Sequence, residues 1–298
     1  MPEARQTRAY LALLAIMVLW GSYPAMAKLA FLDFPPVFLT TLRCIIASLF
    51  LVGLLLRSGE ATTRGLTPAA TRAFLVLGVA GLCLSMLLTY VAIYYTTAAN
   101  VVILSAVTPV MVAVAARLYL GERLRRGQWL GVGVSALGVL VILTRGRLAA
   151  LRIEDLHAGD FINLVSISGW TAYTVYGKRV LGSFSPALAT AGAYAMGTLL
   201  LIPIAAITTP FFPAPRLTST LAWLVVLYQA VAGAVAHVWW YRAVEVVGPS
   251  RAAIFMNLQP LIGVALAAIL LAEPITLWQI VGGMFVLAGV GLTTQRRV

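Results

Sequence analysis

The residues of this chain that could do chemistry are few, and they stand inside long apolar runs. His237 is the one histidine in such a run, and Lys28 and Arg43 are the two cations. An imidazole at that depth either relays a proton or donates to a carboxylate, or else bonds a neighbouring helix. Arg43 either faces a cavity or bonds carbonyls of a neighbouring helix. Lys28 lies near the end of its run and can snorkel outward. No Asp or Glu lies deep in any run. A lone histidine with no carboxylate or nucleophile beside it does not make an active site. Cys44 and Cys83 sit in apolar runs without a CxxC spacing and read as packed thiols. GxxxxGK[ST], the phosphate-cradling loop, is absent. The expectation is no catalytic residue, no metal, no cofactor and no ATP; what remains is binding.

The binding candidates cluster around prolines. A proline within a helix leaves the carbonyl four residues earlier without its donor. Pro24, Pro109 and Pro260 would free the carbonyls of Trp20, Ser105 and Met256. In hydrocarbon that is tolerated where neighbours, water or a ligand meet the freed group. The prolines are therefore read as hinges in a kinked cavity wall, against plain structural kinks. Thr108 flanks one of them; Asn257 and Gln259 flank another. Asn257 shares a face with Pro260 by i,i+3 spacing, and a buried amide needs a partner, either a helix or a ligand. Trp20, Tyr23, Tyr90, Trp170, Tyr173 and Trp239 would add aromatic surface with polar tips that a wet cavity satisfies. With His237, these residues form the candidate cavity.

The elements that must position them are helices. Of 298 residues, 61% are hydrophobic and 10% charged, with mean hydropathy +0.97. Soluble domains carry about a quarter charged residues, so the bilayer has to solvate most of these side chains. The runs are continuous rather than alternating, which favours helices over a membrane barrel. Ten spans follow, over 10–31, 35–57, 72–93, 98–119, 127–144, 159–180, 186–208, 220–241, 251–272 and 276–294. The fold class is all-α, a polytopic membrane protein. Ala25-Met26-Ala27 mimics a signal-peptidase site, but the run before it is long and recurs later, so it reads as a retained first helix. The net charge of +12 sits in short loops, which points to topology and lipid rather than nucleic acid. With the N-terminus in the cytoplasm, inner loops and tails hold fifteen basic residues and outer loops four. Both termini are therefore expected to be cytoplasmic.

The chain repeats itself. Trp20, Tyr23, Lys28 and Pro36 recur 150 positions later as Trp170, Tyr173, Lys178 and Pro186. Pro109, Glu122, Gln128 and Gly138 recur 151 positions later as Pro260, Glu273, Gln279 and Gly289. Residues 1–147 and 148–298 are read as two five-helix repeats. Five is odd, so the second is inverted, an arrangement that suits alternating access around a midplane site. The repeated glutamates suggest ties between helix ends. Gly131, Ser135 and Gly138, with Gly282 and Gly289 in the copy, read as close-packing faces.

These features resemble the drug/metabolite transporter superfamily, in its ten-helix duplicated branch. The residues that carry the resemblance are Leu19-Trp20-Gly21-Ser22 with Lys28, and Pro109 leading to Leu120-Gly121-Glu122. The copy has Pro260 leading to Leu271-Ala272-Glu273-Pro274, and both precede a glycine-rich helix. The resemblance implies export of metabolites without ATP, with bacterial exporters of aromatic and other neutral amino acids nearest in layout. It therefore also implies a bacterial inner membrane location. Small multidrug members use a buried glutamate on their first helix, which Leu14–Trp20 lacks. The expected partners are a small-molecule substrate and the lipid bilayer, with no nucleic acid, and the protein is expected to work as a monomer. An organic-anion or sugar-phosphate carrier is the alternative and would want two or more converging cations. An intramembrane enzyme is the remote one.

Overall fold

Proline and small hydroxylated residues mark where the helices begin. In the computed structural model, which describes residues 2–58, 67–121, 126–144 and 157–294, Thr67, Thr97, Ser185 and Ser219 each accept a hydrogen bond from a backbone N–H three residues on. Pro68 and Pro186 follow two of these caps directly. A side-chain oxygen before the first turn, and a proline whose missing N–H costs nothing there, set helix starts locally.

The helices are α1 (Pro2–Ala30), α2 (Pro36–Ser58), α3 (Pro68–Gly78), α4 (Leu88–Tyr95), α5 (Ala98–Ser105), α6 (Thr108–Leu120) and α7 (Arg126–Thr144). There follow α8 (Ala158–Val180), α9 (Pro186–Thr208), α10 (Thr220–Val247), α11 (Pro249–Ile254), α12 (Gln259–Leu271) and α13 (Leu277–Thr294). A π-helical stretch, Val79–Leu87, joins α3 to α4 in one continuous rod, and a 3-10 turn, Phe255–Leu258, joins α11 to α12. No strand occurs among the described residues.

Boundaries recur at the spacings read from sequence. α2 and α9 start and end 150 residues apart, and α6 and α12 start and end 151 apart. Gly121 and Ala272 close the latter pair in the same left-handed conformation, φ 75° and 51°. The fourth and ninth runs depart from the expected kinked helices. Each stops and restarts, so Pro109 and Pro260 stand in the first turn of a new helix rather than in the middle of a bent one. That is the position where proline breaks no hydrogen bond. Pro24 does lie inside a helix.

Among the described residues, seven stretches are long and apolar enough to cross a membrane: Arg5–Ala30, Pro36–Arg57, Pro68–Tyr95, Ala98–Leu120, Pro186–Phe211, Thr220–Val247 and Pro249–Leu271. Shorter apolar stretches, Trp129–Gly138 and Leu277–Gly289, lie in α7 and α13. The 23 residues of α8 span about 34 Å at 1.5 Å each. Much of its polarity comes from Asp160, Asn163, Ser166, Thr171 and Thr174, all buried. These polar residues point inward while Leu49, Leu199, Leu224, Leu261 and Ile269 point out. That is the arrangement a hydrocarbon surround requires.

α7 and α13 pack on each other where glycines permit it. A methyl on Gly138 would fall 2.5 Å from the Gly282 carbonyl oxygen, and one on Gly282 2.4 Å from Ile142. The expected close-packing role of these glycines holds there. Glu122 and the basic residues between 145 and 152 lie outside the described residues.

Candidate binding cavity

Helices from both halves of the sequence surround one cavity. The space, open side included, is about 790 Å³. α1 supplies Trp20, Tyr23 and Pro24, and α2 supplies Arg43. The π-helical stretch and α4 supply Gly81, Ser85, Met86, Thr89, Tyr90 and Ile93. α5 brings Val101, Val102 and Ser105, and the start of α6 Thr108; α8 brings Ser166, Ile167 and Trp170; α10 brings His237; the 3-10 turn and the start of α12 bring Met256 and Gln259.

Rings form one wall. Trp20 meets Trp170 edge-on, with centroids 5.0 Å apart. His237 lies 5.2 Å from Trp20 and 5.6 Å from Trp170. Behind them Trp240 sits 5.5 and 5.4 Å from the two indoles and is fully buried. The His237 ring is held by the Gly233 carbonyl at 2.8 Å and the Tyr194 hydroxyl at 3.2 Å, both at Nδ1. Edge-on and tilted pairs of this kind are the favoured aromatic geometry.

The rest of the lining carries hydroxyl groups. Thr89 donates to Ser166 (3.0 Å), and Ser166 donates to the Asn163 carbonyl (2.8 Å). Ser105 donates to the Val101 carbonyl (2.7 Å). Thr108 donates to the Ser105 carbonyl (2.5 Å), a group that the end of α5 leaves without a helical donor. These four hydroxyl hydrogens are thus committed within the protein. Among the described residues, three buried donors of the lining have no partner: Trp20 Nε1, Trp170 Nε1 and the Tyr23 hydroxyl.

Arg43 is 2% exposed. Its Nη1 donates to the Tyr90 hydroxyl and, at 3.4 Å, to Gln229 Oε1. Tyr90 donates in turn to Gln229 Oε1 at 2.5 Å, and the Gln229 amide donates to the Tyr23 carbonyl at 3.2 Å. The guanidinium also lies over the Tyr23 and Tyr90 rings, 5.3 and 4.9 Å from their centroids, a stacking that suits a planar cation. Among the described residues the ion pairs are Lys28–Glu273 (3.5 Å) and Arg216–Asp33 (3.3 Å), so Arg43 has no carboxylate.

The cavity therefore brings together Trp20, Tyr23, Pro24, Tyr90, Ser105, Thr108, Trp170, His237, Met256 and Gln259. Tyr173 stands behind the wall, stacked on Tyr241 at 4.7 Å, with Gly81 against its ring. Trp239 is only half-buried, and its neighbour Trp240 takes the place beside the indoles. Asn257 lies in the 3-10 turn outside the lining, its side-chain oxygen buried without a partner. Pro109 and Pro260 shape the breaks without facing the space. Arg43, left between a cavity and a neighbouring helix by the sequence, lines the cavity, and Ser85, Thr89 and Ser166 line it beyond the sequence candidates. One signal for them was visible: Gly81, Ser85 and Thr89 recur every four residues in an otherwise apolar run.

Beyond the cavity, toward the end where α1 finishes, lies a second polar group. Glu273 accepts from the Ala98 and Ala99 N–H groups, both at 3.0 Å. Lys28 reaches Glu273 and donates to the Thr96 carbonyl (2.5 Å). Glu273 thus ties helix ends, as its repetition suggested, and places a negative charge at the start of α5. Beside it Thr96 donates to Asp160 (2.8 Å), Asn100 donates to Asp160 (3.3 Å), and Gln279 donates to Asn100 Oδ1 (2.5 Å). Asp160, at the start of α8, is 3% exposed, so a carboxylate is buried where none was expected within a run.

The EamA-like transporter family model matches twice, over residues 7–144 and 157–295. An uncharacterized transporter of Archaeoglobus fulgidus is 29% identical over 297 residues, covering 98% of this chain and 99% of its own. The uncharacterized transporter YyaM of Bacillus subtilis is 25% identical over 221 residues, 73% of this chain and 71% of that protein. The uncharacterized inner membrane transporter YedA of Escherichia coli is 24% identical over 261 residues, 86% of this chain and 80% of that protein. A solved crystal structure superposes over 97% of this chain and 96% of its own with TM-score 0.68 at 18% identity, which is a likeness of fold.

Proposed function

The chain belongs to the EamA-like transporter family, and from that premise we propose that this multi-pass membrane transporter carries small neutral metabolites, aromatic or hydrophobic amino acids foremost. The observation that supports this reading most is the Trp20–Trp170 pair, one indole from each half, closing a largely apolar cavity with a few placed polar groups. Such a lining is what small-molecule sites use. In this reading ten helices cross the bilayer as two inverted repeats, 1–147 and 148–298. Both termini are cytoplasmic, in a bacterial inner membrane, and the monomer suffices. Transport proceeds outward by alternating access, without ATP and without a proton gradient as driving partner, since no carboxylate lines the cavity. The organic-anion or sugar-phosphate alternative loses its second cation, because Lys28 is engaged with Glu273 rather than the cavity.

The test uses purified protein in liposomes with radiolabelled amino acids, organic anions and sugar phosphates, with and without a pH step. Saturable exchange of phenylalanine or leucine, unaffected by the pH step, is the expected outcome. Movement of sugar phosphates alone would overturn the substrate reading. Uphill accumulation that depends on the pH step and is lost in His237→Ala would overturn the coupling reading and make His237 the proton carrier.

A further inference from the structure

Building on the reading of this cavity as the transport site, we infer that Arg43 and the Tyr23 hydroxyl form a subsite for the carboxylate of a monoanionic solute, and that the solute's amino group is dispensable. Three observations converge. The first is charge. Arg43 is buried at the cavity wall, and neither it nor the lining includes a carboxylate to neutralise it. A bound zwitterion would leave the site with a net positive charge out of water, whereas a monoanion neutralises it. Uncompensated charge in such a place is strongly disfavoured.

The second is the balance of donors. The Tyr23 hydroxyl and the Trp20 and Trp170 indole N–H groups are buried and unpartnered. The hydroxyls of Thr89, Ser105, Thr108 and Ser166 have already committed their hydrogens to neighbours. What the cavity has in surplus is therefore donors and positive charge, and a carboxylate, with four lone-pair sites, accepts what they offer. The two helix breaks present backbone groups of both polarities, so they do not decide the matter.

The third is convergence. Arg43 Nη2 and the Tyr23 hydroxyl end at one place beside Gly233 on α10: a methyl there would crowd both, at 3.3 Å from each, and glycine keeps the two groups together and uncovered by a side chain. The guanidinium's Nη1 is occupied by Tyr90 and Gln229, which fixes the plane of the fork and leaves the other nitrogen on the Gly233 side. Tyr90 and Gln229 act as positioning residues.

The experiment measures binding of three ligands of one body to the purified full-length protein at neutral pH, by calorimetry. The ligands are L-phenylalanine, 3-phenylpropionate, which lacks the amino group, and L-phenylalaninamide, which lacks the carboxylate. The expected result is that 3-phenylpropionate binds at least as tightly as phenylalanine, and the amide about tenfold or more weaker. Arg43→Gln should lower affinity for both carboxylates by a similar factor and level the three ligands. The ligand series in wild type decides the matter even if that variant does not fold. Amide binding equal to phenylalanine would overturn the inference and leave the transport reading standing. Binding of 3-phenylpropionate without phenylalanine would uphold the inference and remove amino acids as substrates. Failure of all three would remove both.

Discussion

Two polar regions lie inside this apolar bundle, and they differ in whether their hydrogen bonds close. Around Glu273 and Asp160, the principal groups meet partners: two N–H groups and an ammonium on one carboxylate, a hydroxyl and an amide on the other. Along the cavity lining, three buried donors do not. A closed polar network specifies which helices meet, because opening it strands charged groups in hydrocarbon. An open one holds groups in readiness for something that arrives. The difference separates residues that build the fold from residues that serve transport, though both are polar, buried and repeated or paired in sequence.

The sharpest way to break that comparison is at Glu273. Glu273→Ala removes two charge-assisted bonds and the ion pair to Lys28, and should cost about 3 kcal/mol of stability. Thermal unfolding of purified protein would show it as a drop of roughly 5–10 °C, while ligand affinity per folded molecule stays within about twofold. If affinity falls in a protein of unchanged stability, the network belongs to the site. Trp170→Ala comes next and should do the opposite in kind. It strips a ring from the cavity wall and should weaken substrate affinity about tenfold or more, equivalent to roughly 1.4 kcal/mol, measured as half-saturation of exchange in liposomes. A collapse of folded protein without that shift would move Trp170 to the structural side. The smallest contrast is between neighbours. Gln259→Ala should weaken affinity severalfold, since Gln259 lines the cavity, and Asn257→Ala should leave it within about twofold. The reverse order would mean that the 3-10 turn rewinds to present Asn257 when ligand binds.

Much of this was legible in the sequence, and the reasons for the rest are physical. Continuous apolar runs and the 150- and 151-residue spacings located the helices and their recurrence, because proline, tryptophan and glutamate do not align by accident in an apolar background. The glutamates announced a structural role through repetition alone. What could not be read was rotation. A helix that is apolar all round carries no stripe to show which face turns inward, so Trp239 and Trp240, one residue and about 100° apart, are equivalent on paper and different in space. Arg43 stood out as a buried cation, yet its partners Tyr90 and Gln229 come from helices 47 and 186 positions away. The breaks before Pro109 and Pro260 were expected as bends, since sequence marks the proline and not whether the chain yields or stops.

The π-helical stretch Val79–Leu87 has no counterpart in α10, which runs unbroken from Thr220 to Val247. Its wider winding fits an extra residue into the rod, and undoing that would swivel α4 by about 100° and carry Thr89 and Tyr90 off the cavity wall. The two halves are therefore not interchangeable. In the alternating-access cycle proposed above, one direction of the trade between halves would have to rewind this stretch and pull Tyr90 from Arg43. The two end states would then differ in free energy before any solute binds, biasing the access of the empty carrier to one side of the membrane.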